Sequence, residues 1–378
     1  MNFPAFSPDI FILGGGPAGL ATAILAAQRG LRVAMADHNR FPIDKACGEG
    51  LMPDTVMAIR SLGITLGPHE AAPFRGIRFR EADSLSCVEA EFSAGCGLGA
   101  RRTVLQAKLA ARAAELGVTL LWGSRVTLDR DGGVFCQDQR VRSKWVIGAD
   151  GEASPFRKWA ALDVARYEQI RFASRQHFRI APGTDFVEVY WARDCQIVVA
   201  PIGPEELCVA VTSRSPNLRF HDALAQVPAL TARLHNLSGV DKLRGARAAT
   251  RRLRRACRSR FALVGDASGS VDPLTGEGIG LAFKQGAALI DAIERDDLPA
   301  YQAAHDRIGR ATRIMSRLML LMDAHPRLRR RALRILAADP PLFGRLLSFN
   351  VGESTLSNFG IGNALKLGWR MFAPGWEV

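Results

Sequence analysis

Three glycines and one aspartate near the start of the chain have the types and spacing needed to bind a phosphate and a sugar. Gly14, Gly16 and Gly19 follow the pattern G-x-G-x-x-G, and Asp37 comes later at the end of an apolar run. The first glycine allows a tight turn, the second leaves room for a diphosphate beside backbone N–H groups, and the third allows close packing. The aspartate can accept hydrogen bonds from a ribose diol. This combination predicts a dinucleotide site.

The surrounding segments must hold these residues at the start of a helix. Residues 9 to 13 form a short apolar run typical of a buried parallel strand, and residues 20 to 29 favour a helix that Gly30 ends. Residues 31 to 36 predict a second strand, which would place Asp37 at its carboxyl end. Up to this point NAD and FAD are both possible ligands.

Two later segments also have the form of a strand followed by a turn. Residues 146 to 151 end in Asp150 and Gly151, and residues 261 to 267 contain Gly265 and Asp266, followed by a glycine-rich stretch at 271 to 280 that opens a predicted helix. A second glycine pattern at 95 to 100 has no acid at the end of the next predicted strand. We therefore predict no second dinucleotide domain, so NAD(P)H would bind only transiently, as a reductant.

Together these segments resemble the flavoprotein superfamily that contains group A aromatic hydroxylases, flavin-dependent halogenases and geranylgeranyl reductases. Asp150 and Gly151 match the DG motif of that family, Gly265 and Asp266 match its GD motif, and the resemblance spans roughly residues 8 to 300. The resemblance implies FAD as the cofactor. We predict non-covalent binding, because no His or Cys occupies a position that we can assign to a flavin linkage.

The resemblance also implies roles for single positions. Asp266 would bond the ribityl chain or the phosphate side of FAD, and the N–H groups of residues 276 to 279 would lie near the pyrimidine edge of the flavin. Arg102 would reach the phosphates, Val126 would lie across the adenine, and residues 45 to 50 would lie over the flavin. The predicted cofactor-binding residues are Gly14, Gly16, Pro17, Ala18, Gly19, Asp37, Lys45, Arg102, Val126, Asp150, Gly265, Asp266, Gly276, Gly278 and Ile279.

The sequence does not identify a catalytic side chain. The seven cysteines contain no C-x-x-C pair, so no metal site and no disulfide framework are predicted. The candidates for positions near the flavin are Cys47, Glu49, Pro273 and Gly276. The candidates for the substrate pocket are His177, Tyr190, Trp191 and Cys195, and ordinary core packing explains each of them equally well.

Three reactions fit a flavin without a dedicated nicotinamide domain: hydroxylation, reduction of a double bond, and dehydrogenation. We first predict an FAD-dependent monooxygenase that uses NAD(P)H and O₂ to hydroxylate a phenolic or polyketide-like apolar molecule. In such an enzyme the protein orients the substrate and excludes water. The alternatives are an FAD-dependent C=C reductase acting on an isoprenoid or similar lipid, and a non-enzymatic flavin sensor. The halogenase signature Trp-x-Trp-x-Ile-Pro is missing, and Tyr190-Trp191 followed by Pro201 matches a reductase element only in part.

The predicted fold is α/β, with a Rossmann-like FAD-binding domain of the glutathione-reductase type interleaved with an antiparallel β-sheet substrate domain. The FAD domain would comprise residues 1–70, 96–160 and 258–297, and the substrate domain residues 71–95 and 165–250, with strands at 187–191, 196–200 and 206–212. Residues 298–378 would form a C-terminal helical region, with one long helix at 298–322, a basic helix at 327–336 and another from Pro340.

The net charge of +13 comes largely from arginines, which cluster at residues 251–260 and 327–334. Aromatic residues do not alternate with them, so a nucleic-acid partner is not predicted. Two interpretations stay open: a solvated basic face, or a field that attracts NAD(P)H, a CoA thioester or an acyl carrier protein.

The C-terminal helices could also touch a membrane surface. Residues 10 to 28 are uncharged, but glycines interrupt them, so we expect a cytoplasmic protein with peripheral membrane contact as an open alternative.

Overall fold

A computed structural model describes residues 7–82, 87–129 and 132–353 of the chain. The strands are β1 (Ile10–Leu13), β2 (Val33–Asp37), β3 (Gly50–Leu51), β4 (Ala72–Phe74), β5 (Gly76–Glu81), β6 (Cys87–Glu91), β7 (Gly97–Gly99), β8 (Thr119–Trp122), β9 (Val126–Leu128), β10 (Val134–Cys136), β11 (Gln139–Val141), β12 (Trp145–Gly148), β13 (Ala165–Phe178), β14 (Phe186–Trp191), β15 (Cys195–Gly203), β16 (Glu206–Ser213), β17 (Arg244–Leu253), β18 (Cys257–Arg258), β19 (Phe261–Leu263) and β20 (Gly269–Ser270). The helices are α1 (Pro17–Gln28), α2 (Pro53–Ser61), α3 (Arg102–Glu115), α4 (Pro155–Trp159), α5 (Phe220–Ala225), α6 (Pro228–Arg233), α7 (Gly278–Glu294), α8 (Leu298–Ile308), α9 (Arg310–Ala324), α10 (Pro326–Ala338) and α11 (Pro340–Asn350).

The first sheet has six strands in the order β18-β19-β12-β1-β2-β8. All pairs are parallel except β18 with β19. Every residue of β1 and β2 is buried, as expected for parallel strands that helices cover on both faces, and α1 packs against α3 and α7. Because β1, β2 and β12 are parallel, their carboxyl ends lie at one edge of the sheet, where an α/β fold places its ligand.

The second sheet has eight strands in the order β20-β17-β13-β16-β15-β14-β5-β6. Its pairs are antiparallel except β14 with β5. Alternate residues of each strand face opposite sides, so one face can pack on helices α5 and α6 while the other faces a cavity. Two three-stranded sheets, β11-β10-β9 and β3-β7-β4, complete the fold.

Helices α9, α10 and α11 pack on the second sheet and share a hydrophobic cluster with it. Phe79 and Trp191 of the sheet lie in this cluster with Met319, Leu336 and Phe343 of the helices. The prediction of one long helix at 298–322 is wrong, because α8 ends at Ile308 and α9 begins at Arg310. Gly309 lies between them, and glycine has a low helix propensity.

Helix α10 begins at Pro326, one residue before the predicted start of the basic helix, and α11 begins at Pro340 as predicted. Residues 354–378 of the predicted C-terminal region lie outside the described residues, and the domain boundaries given above stay predictions. Within the described part of the chain, no helix is both long and apolar enough to cross a bilayer.

Candidate active site

One cavity of about 880 Å³ extends from the edge of the first sheet to the space between the second sheet and the C-terminal helices. At one end it is lined by backbone and charged groups, which we call the cofactor cradle: Gly14, Gly16, Asp37, Asp150, Asp266 and Gly278. At the other end it is lined by apolar side chains, which we call the apolar chamber: Phe79, Val187, Val189, Met319, Met322 and Phe343. A cofactor and a substrate could therefore meet within one cavity.

The glycine turn has the geometry that a diphosphate needs. Gly14 has a φ of +113°, and a Cβ there would collide with the backbone of Ala149 and Asp150. A Cβ at Gly19 would collide with the Gly14 carbonyl, so Gly19 allows the helix to pack closely and does not itself line the cavity. A Cβ at Gly16, by contrast, would meet only an Arg102 guanidinium nitrogen, at 3.8 Å. The space at the N-terminus of α1 is therefore open to an anion.

Asp37 holds the turn and faces the cavity. Its Oδ2 accepts a hydrogen bond of 2.7 Å from the Gly15 N–H, and its Oδ1 accepts from the backbone and side chain of Asn39. A carboxylate at the end of β2 thus ties the first two strands of the sheet to the glycine turn. It also lines the cavity, where further acceptor capacity is available to a ribose diol.

The opposite wall of the cradle comes from residues 265 to 279. Gly265 has a φ of +60° and donates its N–H to Gln285 Oε1 at 2.8 Å, and Asp266 lies 3.9 Å from the Lys45 ammonium. Gly276, with a φ of +69°, ends a short turn, and a Cβ at Gly278 would contact nothing within 4 Å. The open N-terminus of α7 is a favourable environment for the negative charge that a flavin gains on reduction.

Asp150 and Arg102 also lie on the cradle wall. Asp150 accepts hydrogen bonds from Ser154 Oγ, the N-cap of α4, at 2.5 Å and from the Phe156 N–H of the first turn at 3.0 Å, and burial raises the pKa of its carboxyl group. Arg102 begins α3 and borders the space above Gly16. Of the fifteen residues predicted to bind cofactor, all except Gly19 line the cavity, as do Cys47, Glu49 and Pro273.

The wall between the cradle and the chamber contains buried charged groups. Arg171 on β13 pairs with Asp272, with 3.1 Å between Nη1 and Oδ2, and the two side chains are 1% and 0% exposed. Arg171 also hydrogen-bonds Gln196, whose amide nitrogen donates to Asp323 of α9 at 2.5 Å. This network fixes the turn before Gly276 to the second sheet and to the C-terminal helices.

A second buried group surrounds Glu49, whose backbone has a left-handed φ of +59°. His177 Nε2 lies 2.6 Å from Glu49 Oε2, and His177 Nδ1 lies 2.9 Å from Asp241 Oδ2. One ligand atom each of Glu49, His177 and Cys208 lies within 4.8 Å of the others, which is close enough for a metal ion. However, burial raises the pKa of the Cys208 thiol well above its usual range, and the Arg175 guanidinium lies 4.0 Å from Glu49. Both features disfavour a cation there.

The structure places the four residues predicted for the substrate pocket away from the cavity wall. Tyr190 and Cys195 lie in the hydrophobic cluster on the opposite face of the second sheet, because strand alternation points them away from Val189 and Gln196. Burial raises the pKa of Cys195 to about 12. Trp191 is on the chamber face but is covered by Phe79 and Arg329. His177 is held behind Glu49. These positions do not match the expectation that the four side chains line the pocket.

Arg171, Arg175 and Asp272 were not predicted from the sequence, and the C-terminal helices were not predicted to form walls of the chamber. A signal for the first two was present, since residues 171, 175 and 177 lie at alternate positions of one strand and therefore share a face. The helices contribute eleven apolar lining residues and one polar one, Asn350. Their apolar stripe was visible in the sequence, but the surface that it packs against was not.

Comparison with known proteins agrees with this geometry. Residues 8–294 match the family model described as an FAD binding domain. The chain is 26% identical over 355 residues to a menaquinone reductase of Mycobacterium tuberculosis, covering 84% of both chains. It is 26% identical over 396 residues to a 6-methylpretetramide 4-monooxygenase of Streptomyces rimosus, covering 92% of this chain and 93% of the relative.

Two further similarities concern reductases. The chain is 29% identical over 328 residues to a digeranylgeranylglycerophospholipid reductase of Thermoplasma volcanium, covering 76% of this chain and 79% of the relative. A geranylgeranyl bacteriochlorophyll reductase-like protein of Thermoplasma acidophilum has the same fold, with a TM-score of 0.68 at 22% identity over 97% of this chain and 96% of that one. The chain therefore belongs to the FAD-binding-domain family of flavoproteins and is an FAD-dependent oxidoreductase.

Proposed function

We propose that the protein is a reductase that adds hydrogen to a carbon–carbon double bond in a long apolar chain of isoprenoid type. Bound FAD would supply the hydride, and NAD(P)H would restore the reduced flavin. This reverses the order of the two main sequence hypotheses, because the cavity favours the second. Binding of FAD would be non-covalent.

The observation that carries the proposal is the apolar chamber. Strands β5 and β14 contribute Phe79, Val187 and Val189, and the C-terminal helices cover them with methionines and leucines. Burial of each CH₂ group of a ligand in such a site contributes about 0.8 kcal/mol, so a long hydrocarbon chain could be held without a polar anchor. Methionine side chains adapt to a flexible chain of this kind.

The chamber also reaches the surface of the protein. Leu318 and Leu321 of α9 line the cavity and are 38% and 44% exposed. A chain entering between them would reach the turn at residues 273–276 and the segment at residues 47–49, which border the cradle. These residues would exclude water and orient a double bond toward the flavin.

Two of the relatives support the reductase proposal. The digeranylgeranylglycerophospholipid reductase is named for an isoprenoid lipid, and the menaquinone reductase is also a reductase.

We further propose that NAD(P)H binds transiently and that the exposed arginines 254, 255 and 258 attract anionic partners, an acyl carrier protein or a CoA thioester among them. Peripheral membrane contact near α9 would bring an apolar chain to its entrance.

The second candidate is the monooxygenase, acting on a phenolic or polyketide-like molecule. The 6-methylpretetramide 4-monooxygenase supports it, since that relative aligns with 92% of this chain, compared with 84% for the menaquinone reductase and 76% for the digeranylgeranylglycerophospholipid reductase. Against it, helices α9 to α11, up to residue 353 where the described part of the chain ends, offer a phenol one polar lining side chain, Asn350.

Product mass separates the two candidates. The holoenzyme, reduced with dithionite, is incubated both under argon and in air with a geranylgeranyl-bearing lipid and with a set of phenolic polyketides. The proposal predicts a lipid product heavier by two hydrogen atoms for each double bond reduced. A product that forms only in air and carries one additional oxygen atom would support the monooxygenase instead.

A further inference from the structure

The group around Glu49 is a continuous hydrogen-bonded chain from the cavity to the protein surface. Glu49 lines the cavity, its Oε2 lies 2.6 Å from His177 Nε2, and His177 Nδ1 lies 2.9 Å from Asp241 Oδ2. The Glu49 and His177 side chains are 1% and 2% exposed, whereas the Asp241 side chain is 23% exposed. Of these three side chains, Asp241 is therefore the one in contact with bulk solvent.

The Glu49 side chain is held in place from several directions. Its backbone carbonyl accepts from the Ala100 N–H at 3.0 Å, and its Oε1 accepts from the Arg102 N–H at 2.9 Å. A non-glycine residue with a positive φ is uncommon and carries a conformational cost, so the surrounding contacts must impose the φ of +59°. The result is a carboxyl group fixed between the cavity and an imidazole.

His177 has a hydrogen-bond partner at both ring nitrogens in either neutral tautomer. With hydrogen on Nε2, it donates to Glu49 and accepts at Nδ1 from Arg175 Nη1, which lies 3.2 Å away. With hydrogen on Nδ1, it donates to Asp241 and accepts at Nε2 from a protonated Glu49. Neither tautomer leaves a buried nitrogen without a partner, so a shift between them avoids the usual cost of an unpaired buried group.

The charged groups next to this row of hydrogen-bonded side chains include two arginines, Arg175 and Arg244, and one further carboxylate, Asp44. Arg175 contacts Asp241 at 2.6 Å and also pairs with Asp44, which accepts from Arg244 at 2.8 Å. The thiol of Cys208 lies beside Glu49 and His177 and is kept neutral by burial. Asp44 and Asp241 both pair with Arg175, but of the two it is Asp241 that hydrogen-bonds the His177 imidazole. Asp44 is therefore a suitable control for substitutions of Asp241.

We propose that Asp241, His177 and Glu49 form a proton relay that brings one proton per turnover from solvent into the cavity, with Glu49 as the final donor. The inference rests on the proposed function, in which reduction of a double bond takes a hydride from the flavin at one carbon and a proton at the other. A proton enters at Asp241 and passes to His177 Nδ1, the Nε2 proton passes to Glu49, and Glu49 protonates the substrate. His177 and Asp241 act through Glu49 and are positioning residues.

The test uses a soluble acceptor so that it does not depend on the native substrate. Holoenzyme reduced with one equivalent of dithionite is mixed under argon with menadione, and flavin absorbance is followed in H₂O and in D₂O. Anionic reduced flavin, quinone and one proton give oxidised flavin and hydroquinone. For wild type, we expect a rate that is slower in D₂O. For Glu49→Gln and His177→Gln, we expect rates lower by on the order of a hundredfold, partly restored by added imidazole or formate.

Asp241→Asn and Asp44→Asn form the matched pair, because each removes one carboxylate from Arg175 and only the first interrupts the relay. We expect Asp44→Asn to react at the wild-type rate and Asp241→Asn to be slower by about tenfold or more. Equal rates and equal solvent isotope effects in the two variants, with FAD bound in both, would overturn the proposal. Because the acceptor is a quinone, the relay can be tested even if the protein does not reduce isoprenoid lipids.

Discussion

The cofactor cradle and the apolar chamber are parts of one cavity, yet they are built in different ways. The cradle is made of backbone groups at the ends of strands and the starts of helices, and Gly16 and Gly278 keep it open. The chamber is made of side chains from β5, β14 and three C-terminal helices that are distant in the sequence. A backbone-built site suits a constant cofactor, whereas a side-chain-built site can be changed by single substitutions. Selectivity in this protein should therefore depend on the chamber.

The largest effect is expected in the cradle, from Gly16→Val. The protein has space for a Cβ at this position, so the variant should fold, but the branched side chain would occupy the approach of the diphosphate. We expect complete loss of FAD, measured as flavin absorbance relative to protein after gel filtration, with an unchanged circular dichroism spectrum. Gly19→Val is the contrasting variant. Its side chain would collide with the Gly14 carbonyl, so this substitution should impair folding itself.

The boundary between the two regions should be sensitive to the Arg171–Asp272 pair. Asp272→Asn removes the nearer of the two carboxylates beside the buried guanidinium of Arg171 and leaves Asp323, at 4.0 Å, as the remaining counter-ion. Loss of one partner of a buried pair costs about 3–5 kcal/mol, and the second carboxylate should keep the cost at or below this value. We expect a lower midpoint of urea unfolding and weaker retention of FAD. Replacement of the exposed Asp291, which pairs with Arg29 on the surface, should change stability by less than about 1 kcal/mol.

A substitution in the chamber should change turnover and leave the cradle intact. Met319→Phe replaces a flexible side chain with a rigid ring in the space assigned to the substrate chain. We expect normal FAD content and a fall in kcat/KM of about tenfold to a hundredfold for the longest substrates, because a change of a few carbon atoms in an apolar pocket has effects of this size. An equal loss for short and long chains would argue against the chamber as the binding site.

The sequence predicted the cradle far better than the chamber, and the reason is physical. Gly14, Gly16 and Asp37 act within one βαβ unit, so their spacing along the chain determines their spacing in space. Tyr190 and Cys195 were proposed for the pocket from residue type alone, but the face on which they lie depends on the register of β14 and β15. The contact between Met319 and the second sheet joins segments more than a hundred residues apart, and no local pattern encodes it.

The smallest effect concerns Glu277, between Gly276 and Gly278. Burial, together with the charge of Asp54, raises the pKa of its carboxyl group to about 8 from the usual 4.5. The folded state therefore keeps a proton that the unfolded state has released between these values, and stability falls as pH rises from 4.5 to about 8. Glu277→Gln should raise the Tm by about 2 °C or more above pH 8 and by little near pH 4.5. A constant difference across this range would contradict the account.

The central claim is that the chamber presents an apolar chain to reduced FAD for direct hydrogen transfer. The most direct measurement is the flavin absorbance of the dithionite-reduced holoenzyme when a geranylgeranyl-bearing lipid is added under argon. We expect the oxidised flavin spectrum to return without oxygen, with one flavin oxidised for each double bond reduced, and we expect Met319→Phe to slow this return. If the flavin stays reduced until air is admitted, and then reoxidises with incorporation of oxygen into a product, the account is contradicted.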